Sequence, residues 1–182
     1  LRSLVDRMLG PNKALKIAPT NIHEVLERVR TLVEAESKGR VRLKRDYDPS
    51  IPEFPGDKEQ LIQAFLNIAR NAMEAAFENE GATPSDVPPT ITFRTRALRQ
   101  FTIGHRRHRL VCRADIIDNG PGIPADLLQN IFYPMISGRA SGTGLGLSIT
   151  QSIIGQHRGL VECESEPGRT DFIIFLPLED NQ

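Results

Sequence analysis

Two asparagines stand four residues apart on a helix that the sequence predicts from about residue 58 onward. Apolar residues recur over 61–76 at helical spacing, which predicts one broad buried face. Asn67 and Asn71 fall instead on a narrow polar stripe, where asparagine propagates a helix less well than lysine, glutamate or arginine. Two amide oxygens one turn apart suit a hydrated cation or a ribose–phosphate, although an ordinary polar helix face would also explain the stripe. The stripe also contains Gln60, Glu74 and Glu78.

An aspartate and two glycines follow a predicted buried strand at 110–117. Asp118 ends the strand, and Gly120 and Gly122 would let the backbone come close to a flat ligand. A carboxylate at the floor of an apolar pocket can accept a hydrogen bond from an exocyclic amine, which adenine offers. The alternative is an Asn-Gly turn that joins two strands, and the prolines at 121 and 124 disfavour a simple hairpin there.

A glycine-rich stretch at 142–147 leads into a helix predicted over 145–157. Successive glycines before a helix N-terminus expose backbone N–H groups and the positive end of the helix dipole, which together form an anion site. The stretch lacks the Gly-Lys-Ser/Thr of a Walker loop, and no apolar strand leads into it as in a dinucleotide fingerprint. The sequence therefore predicts an anion site of neither of those two types.

The three motifs, with 131–134 between the second and the third, occur in an order and spacing that resemble the catalytic ATP-binding domain of sensor histidine kinases. That domain belongs to the Bergerat-fold ATPases, and the resemblance extends from Pro19 to Pro177. It implies an α+β two-layer sandwich, a mixed sheet with helices on one face, which the order of predicted helices and strands also favours. Segments 4–11, 45–50 and 132–139 are similar to one subfamily, the nitrogen-regulation kinases NtrB.

The resemblance implies a role for individual residues at the metal and at the base. Asn71 would coordinate the Mg²⁺ that bridges the ATP phosphates, and Asn67 would face the same catalytic site. Asp118 would accept a hydrogen bond from the adenine amino group. The base pocket would be completed by Gly120, Gly122, Ile123 and Thr170.

The resemblance also implies how the phosphates would be bound. Residues 133–144 would form a mobile lid over ATP, and the glycine-rich turn would meet the phosphates at a helix N-terminus. The further nucleotide contacts would be Arg70, Tyr133, Arg139, Thr143, Gly144, Leu145, Gly146 and Leu147.

Position 67 separates this chain from the hydrolytic members of that fold, which carry Glu there as a base for water. A kinase whose acceptor is a neutral imidazole needs no such base, so we expect slow or negligible ATP hydrolysis. Two residues depart from the pattern: Glu74 stands where many relatives have Lys or Arg, and Leu160 where NtrB relatives can have Lys. A phosphate contact is then missing, or Arg70 or Arg139 supplies it.

We therefore expect a protein-histidine kinase catalytic domain that transfers the γ-phosphoryl group of Mg-ATP to a histidine on a separate domain, in nitrogen regulation. The resemblance implies three partners: the protein's own dimerisation and phosphoacceptor domain, an NtrC-type response regulator and the PII signal protein. It also implies a homodimeric full-length protein. The alternative is a nucleotide-responsive binding module for a PII-type protein, without kinase activity. A hydrolytic ATPase of the gyrase type is disfavoured by Asn67.

Composition excludes several other classes. The 182 residues include 23 Lys+Arg and 23 Asp+Glu, and a net charge of +0 disfavours nucleic acid or an anionic membrane as partner. No apolar run approaches the roughly 18 residues of a transmembrane helix. Cys112 and Cys163 are too few for a disulfide framework or a four-cysteine zinc site, so we expect free thiols in the cytoplasm.

The chain ends and its histidines carry further expectations. An apolar helix face over 1–9 stops at Gly10-Pro11, so we expect 1–11 to be the end of the dimerisation and phosphoacceptor helix and 12–182 to be the catalytic domain. A frayed terminal helix that packs on its own domain would also explain this face. His23 precedes Glu24 at a predicted helix start, but no proline of the phosphoacceptor motif follows it.

Seven arginines and no acid occur within 94–113, between two predicted strands. A docking patch for an acidic partner and a solvated hairpin would both explain this run. The hairpin is favoured, because charge runs usually face water.

Overall fold

The structure is a computed structural model that describes residues 14–78, 87–132 and 146–179. A five-stranded sheet carries most of the described chain, in the spatial order β2-β4-β5-β7-β6. One neighbouring pair, β2 with β4, is parallel, and the other three pairs are antiparallel. The strands are β2 (Arg42–Asp46), β4 (Thr90–Ile103), β5 (Arg106–Asp118), β6 (Leu160–Glu166) and β7 (Arg169–Pro177).

A second, two-stranded sheet pairs β1 (Ala18–Thr20) with β3 (Phe54–Gly56). From the sequence alone, the prolines at 49, 52 and 55 predict no regular structure in the loop that contains β3, and this prediction was wrong. Pro55 lies opposite Pro19 in the antiparallel register. A two-stranded ribbon accepts proline because part of each strand needs no backbone N–H donor.

Four helices are described, and side-chain caps start the two long ones. They are α1 (Ile22–Ser37), α2 (Lys58–Glu78), α3 (Ala125–Leu128) and α4 (Gly146–Gln156). The Asn21 side chain accepts from the His23 N–H at 2.9 Å, and Asp57 Oδ1 accepts from the Gln60 N–H at 3.2 Å. Each cap satisfies an N–H that has no partner within its helix, so both predicted helix starts are confirmed.

The helices pack on one face of the main sheet, with α2 between α1 and α4. The core joins Phe65 and Ile68 of α2 to Phe93, Ile116 and Ile174 of the sheet, all of them at 0% exposure. Removing this apolar surface from water is the main force that holds the two layers together. The predicted α+β two-layer sandwich with a mixed sheet is confirmed.

The basic segment is one long hairpin, with β4 and β5 joined at Gly104 and His105. Its strands run further than predicted, because Arg96–Ile103 pair with Arg106–Arg113, apart from Gln100. Asp46 of β2 binds both Arg94 (3.1 Å) and Arg96 (2.8 Å). The predicted hairpin is therefore confirmed, and Asp46 on the neighbouring strand offsets part of the charge of a run that has no acid of its own.

The sequence predicts Gly159 as the C-cap of α4. Its N–H does donate to the Ile154 carbonyl at 2.9 Å, but it is not the left-handed residue at this helix end. Arg158 is the residue in the left-handed region, with φ 61°. Gly159 is required for another reason: a Cβ there would lie 2.4 Å from the carbonyl oxygen of Phe175 and 2.8 Å from Ile154 Cγ2. Close packing against β7 thus explains this glycine.

Some expectations lie outside the described residues. These are the predicted remnant of an upstream helix at 1–11, most of the loop at 81–89 and the predicted lid at 133–144. Among the described helices, none is both long and apolar enough to cross a membrane.

Candidate functional site

Helix α4 runs antiparallel to α2, and three hydrogen bonds fix their alignment. The Asp57 N–H donates to Nε2 of His157 at 3.0 Å, and the Thr150 hydroxyl donates to the Ala64 carbonyl at 3.1 Å. Near the start of α4, the Asn67 amide Nδ2 donates to the Gly146 carbonyl at 3.4 Å. The N-terminus of α4 therefore lies beside Asn67.

The polar stripe of α2 is split by this packing. Its first part lies along α4, and Gln60 Oε1 is buried there without a hydrogen-bond partner in the described chain. Asn71 lies on α2, one turn after Asn67, where α4 no longer runs alongside. Its side chain is half-buried, and its amide has no hydrogen bond among the described residues. The N–H groups at the start of α4 therefore lie close to the side-chain amides of Asn67 and Asn71. This arrangement suits an anion together with a cation.

The aspartate motif packs on the same helix. A Cβ at Gly120 would lie 2.5 Å from the Ala75 carbonyl oxygen, so only glycine fits where the loop crosses α2. Ala75 is one turn beyond Asn71. Asp118 is 2% exposed, and its Oδ1 accepts from the Gly120 N–H at 2.9 Å. The carboxylate is therefore held in a fixed orientation next to the asparagine helix.

A chain of hydroxyl contacts joins the far side of the loop to the β6–β7 hairpin. Asp118 and Thr170 are register partners, and Ser165 pairs with Thr170 across the hairpin. Ser165 Oγ accepts from the Ile123 N–H at 2.8 Å and lies 2.8 Å from Thr170 Oγ1. Sequence reasoning missed Ser165. The signal was available, because the segments 160–165 and 170–176 on either side of Pro167-Gly168 predict a closing hairpin that places Ser165 opposite Thr170.

Gly122 holds the loop against that hairpin. Its φ is 91°, and a Cβ would lie 2.5 Å from the Glu166 carbonyl oxygen. Beneath the loop, burial and the charge of Asp118 raise the pKa of the Cys163 thiol to about 12. The thiol next to the carboxylate therefore stays protonated at neutral pH.

A model of the histidine kinase-, DNA gyrase B-, and HSP90-like ATPase family matches residues 56–180. The chain belongs to this ATPase family. The matched range contains every site residue described above, from the capping aspartate of α2 to the last strand.

Relatives within this ATPase family agree with the resemblance seen in the sequence. The sensory histidine kinase/phosphatase NtrB of Vibrio alginolyticus is 49% identical over 178 residues, which are 98% of this chain and 49% of that protein. The protein of the same name from Salmonella typhimurium is 50% identical over equal shares. The chain thus spans about half the length of the curated relatives it matches.

Solved structures show the same fold. The catalytic domain of histidine kinase ThkA, in a nucleotide-free form, has a TM-score of 0.73 at 25% identity, covering 90% of this chain and 97% of that one. Full-length ShkA in complex with AMPPNP has a TM-score of 0.75 at 22% identity, covering 98% and 36%. The fold of this ATPase domain is therefore that of histidine kinase catalytic domains.

One predicted phosphate contact of this ATPase domain has another partner. Arg70 binds the Glu36 carboxylate of α1 through three N–O contacts of 2.6, 3.0 and 3.1 Å. This bidentate pair holds the pKa of Glu36 below its usual value, chiefly through the Arg70 hydrogen bonds. The prediction that Arg70 binds phosphate therefore has no support from the structure, because its guanidinium joins α1 to α2.

Two histidines of this ATPase domain have partners inside the fold. His157 donates from Nδ1 to the Ile153 carbonyl at 2.8 Å and accepts at Nε2, so it is neutral, and burial lowers its pKa. His23 bonds to Thr95 Oγ1 at 2.8 Å and stacks on Tyr47. From the sequence alone, His157 is favourably placed against the dipole at the end of α4; the structure shows a neutral ring that accepts a hydrogen bond there.

Five of the eight further nucleotide contacts predicted from the resemblance lie outside the described residues: Tyr133, Arg139, Thr143, Gly144 and Leu145. Leu147 of α4 packs against the core near the site. Within the described ranges, no group of three or more His, Cys, Asp or Glu side chains could hold a metal ion. A metal at this site would therefore depend on amide oxygens and on the ligand itself.

Proposed function

We propose that this chain is the ATP-binding catalytic domain of an NtrB-type sensor histidine kinase. It would transfer the γ-phosphoryl group of Mg-ATP to a histidine on a separate domain. The observation that carries the proposal is the meeting of three elements on one helix: Asn67 beside Gly146, Asn71 one turn further, and Gly120 packed on Ala75. A nucleotide needs a base pocket and a phosphate site on one continuous surface, and α2 supports both.

The base end fits adenine. Asp118 is buried and oriented by its bond to the Gly120 N–H, so its carboxylate can accept from an exocyclic amine. Gly122 and Ile123 would shape the wall of the pocket, and Thr170 would present a hydroxyl beside the carboxylate. A buried carboxylate disfavours a base that shows a carbonyl oxygen at the same place, because both groups only accept hydrogen bonds.

The phosphate end fits an anion held with Mg²⁺. Asn71 would supply an amide oxygen to the metal, with Asn67 next to it and the N–H groups of Gly146 and Leu147 facing the phosphates. When bound, Mg²⁺ neutralises the charge on the bridging phosphates. The remaining contacts that we propose are Tyr133, Arg139, Thr143, Gly144 and Leu145.

The protein's part in the reaction is positioning. The Asn67 amide is neutral and cannot remove a proton from water, so position 67 supplies no strong base. An incoming neutral imidazole needs none, because its unprotonated nitrogen is already a nucleophile near neutral pH. Holding the γ-phosphoryl group in line with that nitrogen then accelerates phosphotransfer, whereas hydrolysis by water stays slow.

Partners follow from the relatives. We propose that the longer protein contains a dimerisation and phosphoacceptor domain, works as a homodimer in the cytoplasm, and acts on an NtrC-type response regulator under control of a PII signal protein. The solved complex of ThkA with the response regulator TrrA is a precedent, in another kinase, for the contact with a response regulator.

The test is phosphotransfer in trans. The chain is mixed with γ-labelled ATP, Mg²⁺ and the separately produced phosphoacceptor domain of an NtrB relative, with that domain's His→Ala variant as the control. Label on the histidine domain alone supports the proposal. Nucleotide binding without any labelled domain would contradict the kinase and favour the nucleotide-responsive binding module for a PII-type protein.

A further inference from the structure

The outer half of the β4–β5 hairpin extends past its neighbouring strands. We call residues 99–110 the arm. Strand β2 pairs with β4 only over Thr90–Arg94, and β7 pairs with β5 only over Val111–Asp118. Within the described sheet, the arm strands pair only with each other, over a length of roughly 17 Å at 3.4 Å per residue. The arm is therefore a two-stranded projection. Its β4 edge is free in the described chain, and its β5 edge is met only at the base, where the Leu178 N–H donates to the Leu110 carbonyl at 3.0 Å.

The arm is strongly basic, and its charge is not neutralised inside the described chain. Its cations are Arg99, Arg106, Arg107 and Arg109, all exposed, and residues 99–110 contain no acid. None of these four guanidinium groups has an ion-pair partner among the described residues. Arginines nearer the sheet differ, since Arg113, for example, binds Asp115 at 3.0 Å.

Apolar side chains hold the arm in a defined position. Phe101 stacks on Phe175 of β7 with ring centroids 4.7 Å apart, and Ile103 packs in the same small cluster. Both Phe101 and Ile103 remain half-buried. The arm is thus anchored at its base and still shows apolar surface between its arginines.

A carboxylate of the chain itself already binds at the base of the arm. Glu179 Oε1 accepts from the Arg109 N–H at 3.0 Å and lies 3.0 Å from His108 Nδ1. This contact borders an open cleft of about 650 Å³. The cleft is lined by Arg99, Gln100, Arg109, Leu110, Leu178 and Glu179. The Arg109 backbone N–H and the His108 ring thus hold a carboxylate next to the side chains of Arg99 and Arg109, which line the cleft.

We propose that the arm is a docking surface for the acidic face of a partner protein, one that presents carboxylates next to apolar side chains. Complementary charge would steer the encounter and set the register, and the apolar contacts would slow dissociation. A nucleic acid fits less well, because the rest of the chain carries a net charge of −4 (19 Lys+Arg outside the arm against 23 Asp+Glu). That charge repels a polyphosphate, which needs a wider basic surface.

The probe for this proposal is a fluorescein-labelled twelve-residue peptide that alternates glutamate with valine. Its counterpart with glutamine in place of glutamate is the uncharged control. Anisotropy of the glutamate peptide with the 182-residue chain, without nucleotide, is measured at low and physiological salt. Hydrogen exchange of the arm amides with and without peptide locates the contact.

Two double variants test the arm, and one tests charge alone. Arg106→Glu with Arg107→Glu changes the tip, where neither side chain has a partner in the described chain, and Arg99→Glu with Arg109→Glu changes the cleft. Arg28→Glu with Lys44→Glu is the matched control, since both residues are exposed, lie outside the arm and have no ion pair in the described chain. A thermal melt of each variant checks folding.

We expect each arm variant to lower the affinity for the glutamate peptide by about tenfold or more, equivalent to about 1.4 kcal/mol. The affinity of the control variant should stay within about threefold of the wild-type value. Wild-type binding should fall with salt, and protection should appear within 99–110. Equal binding by all variants, an equal loss in the control or equal binding of the glutamine peptide would overturn the proposal. So would tighter arm-dependent binding of single-stranded DNA, or arm-dependent self-association in light scattering. The proposed kinase function does not depend on these results, because the phosphotransfer assay tests it separately from peptide binding.

Discussion

Gly120 lies so close to Ala75 that a methyl group on the glycine would sit 2.5 Å from the alanine carbonyl oxygen. This contact joins the loop after β5 to the helix that carries Asn67 and Asn71. It fixes the separation between a buried carboxylate and two amide side chains that are 47 or more residues away in sequence. The distance between the base and phosphate ends of the proposed nucleotide site is therefore set by one glycine.

Replacing Gly120 with alanine should destabilise the fold by about 1–3 kcal/mol, because the backbone of α2 or of the loop has to shift. ATP affinity should fall as well, since the shift moves Asp118 relative to Asn71. Thermal melts and nucleotide titration measure the two effects. Gly155→Ala is the control: a Cβ there meets nothing within 4 Å, so that helical site should gain about 0.5–1 kcal/mol. A Gly120→Ala protein as stable as the parent would show that the contact is not tight.

Ser165 should act on nucleotide binding through Thr170 and Ile123. Ser165→Ala leaves the Ile123 N–H without its acceptor and Thr170 without its hydroxyl partner, at a cost of about 1–3 kcal/mol. The dissociation constant for ATP should rise by roughly tenfold, with a smaller change in the phosphotransfer rate at saturating ATP. Ser165→Thr keeps the hydroxyl and should restore most of the affinity. Thr102→Ala, on the exposed arm, should change neither quantity.

Asp171 should make stability fall as pH rises toward neutrality. Burial and the neighbouring Asp115 carboxyl raise the pKa of Asp171 to about 7. Its Oδ1 accepts no hydrogen bond in the described chain, and a proton held between the two carboxyls supplies one. The folded state therefore binds this proton more tightly than the unfolded state, and the stabilisation is present below the ordinary pKa of about 4 and lost through about 7.

Asp171→Asn should remove that pH dependence. Its melting temperature should exceed that of the parent at about pH 8, and the gain should shrink or reverse at about pH 5. Glu53→Gln, an exposed acid in a loop, is the control and should follow the parent curve. Parallel curves for the parent and Asp171→Asn would contradict a shared proton.

His157 should make folding stability rise with pH, opposite to the effect of Asp171. Its ring accepts from the Asp57 N–H only when neutral, and burial lowers its pKa. The unfolded state therefore takes up a proton first, so this stabilisation is present above the ordinary pKa of about 6.5 and is lost as pH falls below it. His157→Gln should flatten the stability curve between about pH 6.5 and 5 and lower stability at about pH 8. An unchanged acid limb in urea titrations would contradict the neutral ring.

Sequence reasoning reached the elements that depend on local pattern. The start of α2 at its Asp57 cap, the aspartate at the end of β5 and the closing hairpin all follow from spacing and turn residues within a few positions. The partners of Arg70 and of Gly120 did not follow. Glu36 and Ala75 are brought to them by the packing of separate elements, and no local spacing encodes such a contact.

The basic hairpin shows the same division. The absence of acids within 94–113 is visible in the sequence, but Asp46 neutralises Arg94 and Arg96 only because β2 joins β4 in parallel. That pairing leaves the arm arginines as the unneutralised part of the run. The sequence therefore predicted the hairpin, and tertiary structure selected which of its charges remain available.

We propose that Asp118 and Asn71 belong to one ATP site. Calorimetric titration tests it most directly, with ATP and with inosine triphosphate, which has a carbonyl where adenine has an amine, each with and without Mg²⁺. We predict that the parent binds ATP more tightly than inosine triphosphate. Asp118→Asn should lower the affinity for ATP by about tenfold or more and raise the affinity for inosine triphosphate. Asn71→Ala should abolish the gain in affinity that Mg²⁺ gives the parent. Binding of ATP by both variants as tight as by the parent would contradict the account.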